Sequence, residues 1–348
     1  MEAGVGVDTR DGFDAVEHAR EMAGRRFRLD GYYEVGREKV LEFAAAVQDE
    51  HAAHWDDEVA AALGYSALPA SPTFVALLGG PVLHGVSELL MGYDLRASVH
   101  TDQVLEFHRP VVVGDRLTSN VVLQSFRQAF GGDMLVFENV VTDQRGEAVV
   151  TGTTSMISRS ERSAQTAEVA QRIEALVHRG LDTFVRHSPE RVELVDWIAT
   201  PATYRSTHSR AVGSLRECDE LPSRTVFLTI GDLVRYAGVA GDANPIHWHP
   251  DAARMVGLER GVVAHGMLTM AYAGAFVTSW LGDPGALKQL SVRMSNPVYV
   301  GSEGPTAIEF TGKVKSIDPV AGTAAVAISA MHEGRKVFGR ATAVVQLS

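Results

Sequence analysis

The chain repeats itself, and that repeat limits the folds open to it more than any single motif does. Asp49-Glu50-His51-Ala52-Ala53-His54-Trp55 aligns with Asp242-Ala243-Asn244-Pro245-Ile246-His247-Trp248, so that aspartate, histidine and tryptophan coincide. At the same offset Phe43 meets Tyr236, Ala60 meets Ala253 and Gly64 meets Gly257. After a small indel, Arg109-Pro110-Val111-Val112-Val113-Gly114 faces Asn296-Pro297-Val298-Tyr299-Val300-Gly301. Matches in the same order across most of each half read as two copies of one unit, residues 28–158 and 222–348. Residues 1–27 are then an N-terminal extension and 159–221 a linker. At 348 residues the chain is too long for one ordinary domain and fits two.

Each copy carries the same order of elements. A short extended segment (31–35; 225–228) leads into an amphipathic helix (37–47; 230–240) and a polar loop. A second, apolar helix follows (73–91; 266–281). Four β-rich segments close each copy: 103–108, 116–126, 134–142 and 148–157, then 288–294, 306–317, 323–332 and 336–347. Turn residues such as Asp143-Gln144-Arg145-Gly146 and Glu333-Gly334 punctuate them. A helix followed by an antiparallel meander predicts an α+β unit with the helix packed on one sheet face. Residues 267–276 are apolar nearly all round, so that helix must be buried on most sides; a strongly curved sheet wrapped around it meets the requirement. In the linker, 164–186 has helical periodicity and 189–198 suits a short helix. Residues 200–221 are polar, irregular and too long for a tight connector, so they are expected to pack across the surface.

Bulk properties exclude several classes. With 45% hydrophobic and 22% charged residues this is an ordinary globular protein, and its formal net charge of -11 argues against general nucleic-acid binding, which needs a basic face. The single cysteine, Cys218, rules out a disulfide framework and a cysteine-based zinc site. Residues 1–28 mix acidic and basic side chains with no apolar signal-peptide core. The longest apolar stretch, 266–281, is shorter than the roughly 20 residues that span a bilayer. A cytoplasmic protein without a membrane span is the expectation.

The sharpest local sequence is Tyr236-Ala237-Gly238-Val239-Ala240-Gly241-Asp242-Ala243-Asn244-Pro245-Ile246-His247. Pro245 disfavours helical geometry at Asn244, and Gly241 and Asn244 tolerate turn conformations. Asp242 and His247 are thus expected at the two ends of one bent loop. In a continuous helix their directions would differ by about 140°. An aspartate and a histidine held together can exchange protons through a shared water or hydroxyl, which suits addition or removal of water at a carbon–carbon double bond. Ala264-His265-Gly266-Met267 opens the apolar helix. Its first N–H groups lack internal partners, and Gly266 has no Cβ to hold a ligand off. The Gly266 N–H therefore suits polarisation of a thioester carbonyl. Each residue also has a bland reading: Asp242 as a turn cap, Gly266 as a helix start, His265 as a brace for loop backbone. His247-Trp248-His249 has no further spaced ligands, so no metal site is expected.

Residues 236–253 closely resemble the signature of MaoC-like (R)-specific enoyl-thioester hydratases and dehydratases: an aromatic (Tyr236), a small residue, then Gly-Asp-x-Asn-Pro-aliphatic-His (241–247), and a small residue six positions later (Ala253). Ala240 departs mildly from the usual Ser, Thr, Gly or Cys. The first copy resembles the dehydratase-like subunit that partners the catalytic one in heterodimeric 3-hydroxyacyl-carrier-protein dehydratases of mycolic-acid-type fatty-acid elongation. Residues 47–55 and Phe107-His108-Arg109-Pro110 carry that similarity. The whole chain looks like those two subunits fused.

The resemblance implies an α+β double hot-dog, two antiparallel sheets each wrapping a central helix, paired as an intramolecular pseudo-dimer. It implies Asp242 and His247 as catalytic pair, Gly266 N–H at the thioester carbonyl, and Asn244 and His265 in support. The implied reaction is reversible dehydration of a (3R)-hydroxyacyl thioester in fatty-acid elongation. His247 is favoured as base toward C2 and Asp242 as the water-handling group, a split that the sequence leaves open. No cofactor is implied. The first copy keeps Asp49 and His54 but has His51-Ala52 for Asn244-Pro245, and Pro72-Thr73 against His265-Gly266, so it is expected to be chemically silent. Phe74, Leu77 and Leu78 are its candidate acyl-channel residues. The carrier is acyl carrier protein or coenzyme A; Arg109, Arg254, Arg260 and Arg293 are candidate contacts at the mouth. A homodimer or an elongation-complex partner is in keeping with the family. Because fold alone does not decide function, three alternatives stand: an acyl-CoA hydratase of fatty-acid breakdown, a hot-dog thioesterase and a noncatalytic acyl-binding scaffold.

Overall fold

A computed structural model describes residues 13–93, 95, 98–129, 132–158, 168–169, 171–173, 175–176 and 192–348. In chain order its elements are helix α1 (Ala15–Met22), strands β1 (Arg26–Leu29) and β2 (Tyr33–Glu34), helices α2 (Arg37–Ala46), α3 (Asp57–Ala62) and α4 (Gly79–Leu89), and strands β3 (Val99–Phe107), β4 (Arg116–Ala129), β5 (Gly132–Thr142) and β6 (Ala148–Ser158). Strand β7 (Val192–Leu194) precedes the second set: β8 (Glu220–Leu228), α5 (Ile230–Ala240), α6 (Pro250–Met255), α7 (Gly266–Leu281), β9 (Leu287–Met294), β10 (Thr306–Asp318), β11 (Thr323–His332), β12 (Arg335–Lys336) and β13 (Phe338–Gln346).

Strand periodicity does what the sequence asks of it. Burial alternates residue by residue along β11, which puts Ala324, Val326, Ile328 and Ala330 on the inner face. All strand pairs are antiparallel, in the order β7-β1-β4-β5-β6-β3-β9-β13-β11-β10-β8. The two predicted sheets thus join edge to edge. Strand β3 of the first half pairs with β9 of the second from Asp102↔Arg293 to Glu106↔Gln289. This is the α+β double hot-dog, with its halves fused along one seam.

The second central helix is regular. α7 buries 12 of its 16 residues and ends on Gly282, whose φ of 83° is the left-handed stop that glycine accepts without strain. The first is not the single helix expected over 73–91. A 3-10 helix, Pro72–Leu78, hands over to α4 at Gly79. Pro81 has no N–H to donate back one turn, so an α-helix cannot run through from Leu77; in the first turn of a new helix that loss costs nothing.

The core has two parts. The larger draws on both halves, from Phe43, Phe74 and Leu117 to Tyr272, Phe310 and Val345. The smaller lies in the first half and joins α1, β1, α4, β4 and β5 through Met22, Phe27, Val86, Leu90, Val121 and Phe137. Residues 15–27 therefore belong to the first half's packing rather than to a detached extension. In the linker, 168–169 and 171–173 are helical, and most of 164–186 lies outside the described residues. The short helix expected at 189–198 is not formed in its described part: Val192–Leu194 is strand β7, paired with β1 at the sheet edge. So short a segment cannot hold a helix by itself, and pairing with β1 decides its conformation. Residues 200–219 cross the surface, tied by Ala202 N–H to the Ala148 carbonyl and by Ser348 N–H to the Arg210 carbonyl, and β8 begins at Glu220. Among the described residues no helix is long and apolar enough to cross a membrane.

Candidate active site

The loop that follows α5 is built by local chemistry. Thr229 and Asp232 form a capping box at the start of α5. Gly241 ends the helix at a φ of 78° and turns the chain. The Asp242 carboxylate accepts from Asn244 N–H at 3.3 Å, and Asn244 Oδ1 accepts from Ile246 N–H at 3.3 Å. Pro245 then starts a single 3-10 turn, Pro245–His247, and Trp248 Nε1 donates to the Ala243 carbonyl at 3.1 Å. The loop folds on itself, as its Gly, Asn and Pro predicted, and brings Asp242 and His247 within 4.0 Å.

His247 Nδ1 lies 2.8 Å from the Val263 carbonyl oxygen. A carbonyl only accepts, so Nδ1 carries the proton and Nε2 keeps a lone pair in the neutral ring. Nε2 stands 4.0 Å from Asp242 Oδ2; the imidazole is 10% exposed and the carboxylate 50%. That separation is too long for a direct hydrogen bond and leaves the two groups free to share a third atom. Burial holds the His247 pKa below its ordinary value, although Asp242 and the Val263 carbonyl pull the other way.

His265 and Gly266 sit against this pair. The His265 ring stacks on His247 with centroids 3.7 Å apart and planes at 24°. Its Nε2 donates to the Asp242 backbone carbonyl at 3.3 Å, and Tyr236 packs on it at 4.9 Å. Burial, with His247 adding to it, pushes the His265 pKa down to about 3, so the ring is neutral. Asp242, His247 and His265 bring one donor atom each within 4.8 Å of one another. Gly266 is the first residue of α7, so its N–H has no partner within the helix. A Cβ there would meet Met294 Cε at 3.3 Å, so the bare glycine keeps the helix tip open.

The first half repeats this architecture in a closed form. His54 Nδ1 donates to the Pro69 carbonyl at 2.8 Å and Trp55 Nε1 to the Asp49 carbonyl at 2.9 Å. The matching bridges Pro69↔Val112 and Val263↔Tyr299 flank the two histidine acceptors. Here, however, both side chains are wholly buried and His54 Nε2 lies 3.1 Å from Asp49 Oδ2. Burial works against both charges, yet the partnership wins: Asp49 is held below its ordinary pKa by His54, Ser71 and the His51 N–H, and His54 is raised by Asp49.

The register at the helix tip differs from the sequence alignment by one residue. Ser71 and His265 are the N-caps, so Pro72, not Thr73, stands in the place of Gly266. The missing proline N–H thus removes a donor, where the alignment pointed to an unwanted Cβ. Phe74 borders a narrow cleft here with Ser71, Pro72 and Arg109. Across it, Gly285 is packed so tightly that a Cβ would come within 2.8 Å of Tyr204, Pro110 and Tyr65. Phe74 and Leu78 are buried core residues, Phe74 edge-on to Phe43, while Leu77 is half-buried. None of the four candidate arginines is free: Arg109 pairs with Asp115 and Asp143, Arg254 with Asp251, Arg260 with Glu333 and Arg293 with Asp102. Sequence reasoning missed the stack of His265 on His247, which no spacing rule signals.

A curved antiparallel sheet wrapping two central helices, with an Asp–His loop beside one helix tip, defines a double hot-dog protein of the hydratase type. The chain belongs to the MaoC-like dehydratase family. Residues 217–331 match the MaoC-like domain and 21–152 the FAS1-like dehydratase domain region. A solved MaoC-like dehydratase is 37% identical with a TM-score of 0.84, over 95% of this chain and 100% of that one. A UPF0336 protein of Mycolicibacterium paratuberculosis is 36% identical over 155 residues, 44% of this chain and 88% of its own. A conserved hypothetical protein of Mycobacterium tuberculosis with a double hotdog fold shares the architecture, with a TM-score of 0.59 at 16% identity over 93% of this chain and 96% of that one.

Proposed function

We propose that the protein interconverts (3R)-hydroxyacyl thioesters and trans-2-enoyl thioesters by removing or adding water, in fatty-acid elongation, with Asp242 and His247 as the catalytic pair. The observation that carries this is the 4.0 Å gap between His247 Nε2 and the half-exposed Asp242 carboxylate, beside the uncapped N–H at Gly266. In dehydration, His247 Nε2 takes the C2 proton while the electron pair moves toward the thioester carbonyl, whose oxygen accepts from Gly266 N–H. The C2–C3 double bond forms as the C3–O bond breaks, and the hydroxyl leaves as water with a proton passed by way of Asp242. Hydration runs the same steps backward. Asn244 shapes the loop through Ile246 N–H, and His265 braces it through the Asp242 carbonyl.

In this reading the first half is chemically silent. Its Asp–His pair is buried, and its helix tip lacks an N–H. The carrier, acyl carrier protein or coenzyme A, presents the acyl group by phosphopantetheine in either case, and the protein works in the cytoplasm. Incubation with an enoyl thioester tests the reading. Loss of enoyl absorbance without release of free thiol is the expected result, and thiol release would instead mark a thioesterase. Asp242→Asn and His247→Ala should each lower turnover by at least about a hundredfold while the far-ultraviolet circular dichroism stays unchanged. Wild-type rates in either variant would remove these residues from the reaction.

A further inference from the structure

The helix tip at Gly266 faces one side chain from the sheet. A Cβ placed on Gly266 would stand 3.3 Å from Met294 Cε, 3.5 Å from Met294 Sδ and 3.9 Å from Met294 Cγ. Beyond the chain neighbours and the helix backbone, these are the three nearest heavy atoms. Met294 is the last residue of β9, and its backbone is held on both sides. It pairs with Phe338 on β13, Ser295 N–H donates to the Val337 carbonyl at 3.1 Å, and Arg293 Nε donates to Asp102 Oδ1 across the seam at 2.8 Å. What remains free to adjust is the side chain itself, unbranched and with three rotatable bonds.

The first half sets the same two elements face to face. Phe107 is the last residue of β3, the other seam strand, and matches Met294 in the alignment that sets Arg109 against Asn296. Val104 pairs with Ser291 at that same offset, so the two strand ends lie on opposite sides of the seam at equal distances from this pair. Phe107 lines the narrow cleft together with Pro72. Each half thus sets one strand-end side chain beside one helix tip. In the first half an aromatic ring meets a proline; in the second a thioether meets a glycine whose N–H has no partner within the helix. All four residues are half-buried.

On the proposed function, the thioester carbonyl oxygen lies about 2.9 Å from the Gly266 nitrogen. The carbonyl carbon carries two further groups, the sulfur and C2. A thioester sulfur has no third substituent, so the group that can vary beside the helix tip is one on C2. The outer atoms of Met294 already stand at van der Waals distance from that tip. Hydrogens on C2 fit beside them, whereas a methyl group needs the room that the thioether fills. We propose that Met294 determines specificity at C2, favouring unbranched acyl thioesters over those with a methyl group there. This deepens the proposed function and rests on it; Met294 touches the substrate and moves no proton.

Two variants and two pairs of thioesters, offered on both carriers, test this. Crotonyl and 2-methylcrotonyl thioesters report hydration. Butyryl and 2-methylbutyryl thioesters have no double bond to hydrate and report binding alone. A methyl group also changes intrinsic reactivity, so the quantity to compare between proteins is the ratio of kcat/KM, branched over unbranched. Met294→Ala should raise that ratio about tenfold, the effect of room for one more carbon in an apolar pocket. Met294→Phe installs the side chain that the first half carries at this place, and should lower the ratio. Calorimetry with the saturated pair should rank the three proteins in the same order, and far-ultraviolet circular dichroism should be the same for all. An unchanged ratio in Met294→Ala, or a parallel loss of both substrates in the two variants, overturns the inference and leaves Met294 as packing only. A crotonyl thioester inert with the wild type, together with a binding preference for butyryl that Met294→Ala removes, would keep Met294 in this role and remove the dehydratase reading instead.

Discussion

At the scale of single residues, the outcome turns on which nitrogen of His247 is free. The Val263 carbonyl fixes the tautomer, and His265, neutral and stacked, adds no charge beside the ring. Burial lowers the His247 pKa, and in the proposed dehydration the neutral imidazole is the form that would accept the C2 proton. Activity should therefore fall with acid only below the ordinary histidine value of 6.5. A pH profile of kcat/KM checks this, and an acid limb centred above that value would contradict it. The Asp-x-Asn-Pro-x-His spacing made the loop legible in the sequence, because each of its bends has a local cause in Gly241, Asn244 or Pro245. The stacking of His265 was not legible, because it depends on where α7 begins relative to that loop.

At the scale of elements, the proposed function has the two copies of the loop divide stability from chemistry. Asp49→Asn and His54→Ala should leave turnover per folded protein close to wild type. His54→Ala strands a buried carboxylate and should destabilise the fold by about 3–5 kcal/mol. The pH dependence follows from both shifts. Asp49 is lowered, so its contribution is present above the ordinary carboxyl value of 3.8 and is lost as pH falls through the native value. His54 is raised, so its contribution is present below 6.5 and is lost as pH rises through the native value. Denaturant titrations of wild type and His54→Ala should thus differ most between those limits. The order of helices and strands was readable from apolar periodicity in both halves. The break in the first central helix was not, since the apolar run 73–91 hid the meaning of Gly79-Gly80-Pro81. Nor was the strand at Val192–Leu194, whose conformation is set by a distant partner, β1.

At the scale of the whole molecule, the halves share one sheet and one main core. A buried junction adds to the seam: the Asp283 carboxylate accepts from Tyr65 of the first half, from Ser206 of the connecting segment and from Gly285 N–H at 3.0 Å. Burial, with Asp283 adding to it, raises the Tyr65 pKa far above its ordinary value, so the phenol stays a donor. Asp283→Ala would leave both hydroxyls buried without an acceptor, and should lower stability by about 2–5 kcal/mol in chemical denaturation, with crotonyl turnover at low temperature little changed.

Because β3 pairs with β9, the second half cannot pair with a twin of itself along that strand. Proline 72 makes the inequality of the partners permanent, since no side-chain change elsewhere can return an amide hydrogen to that ring. On the proposed function, the stoichiometry is thereby written into the polypeptide. A tight-binding inhibitor titrated against the enzyme should reach its end point at one equivalent per chain, where a symmetric pair of hot-dogs would consume two.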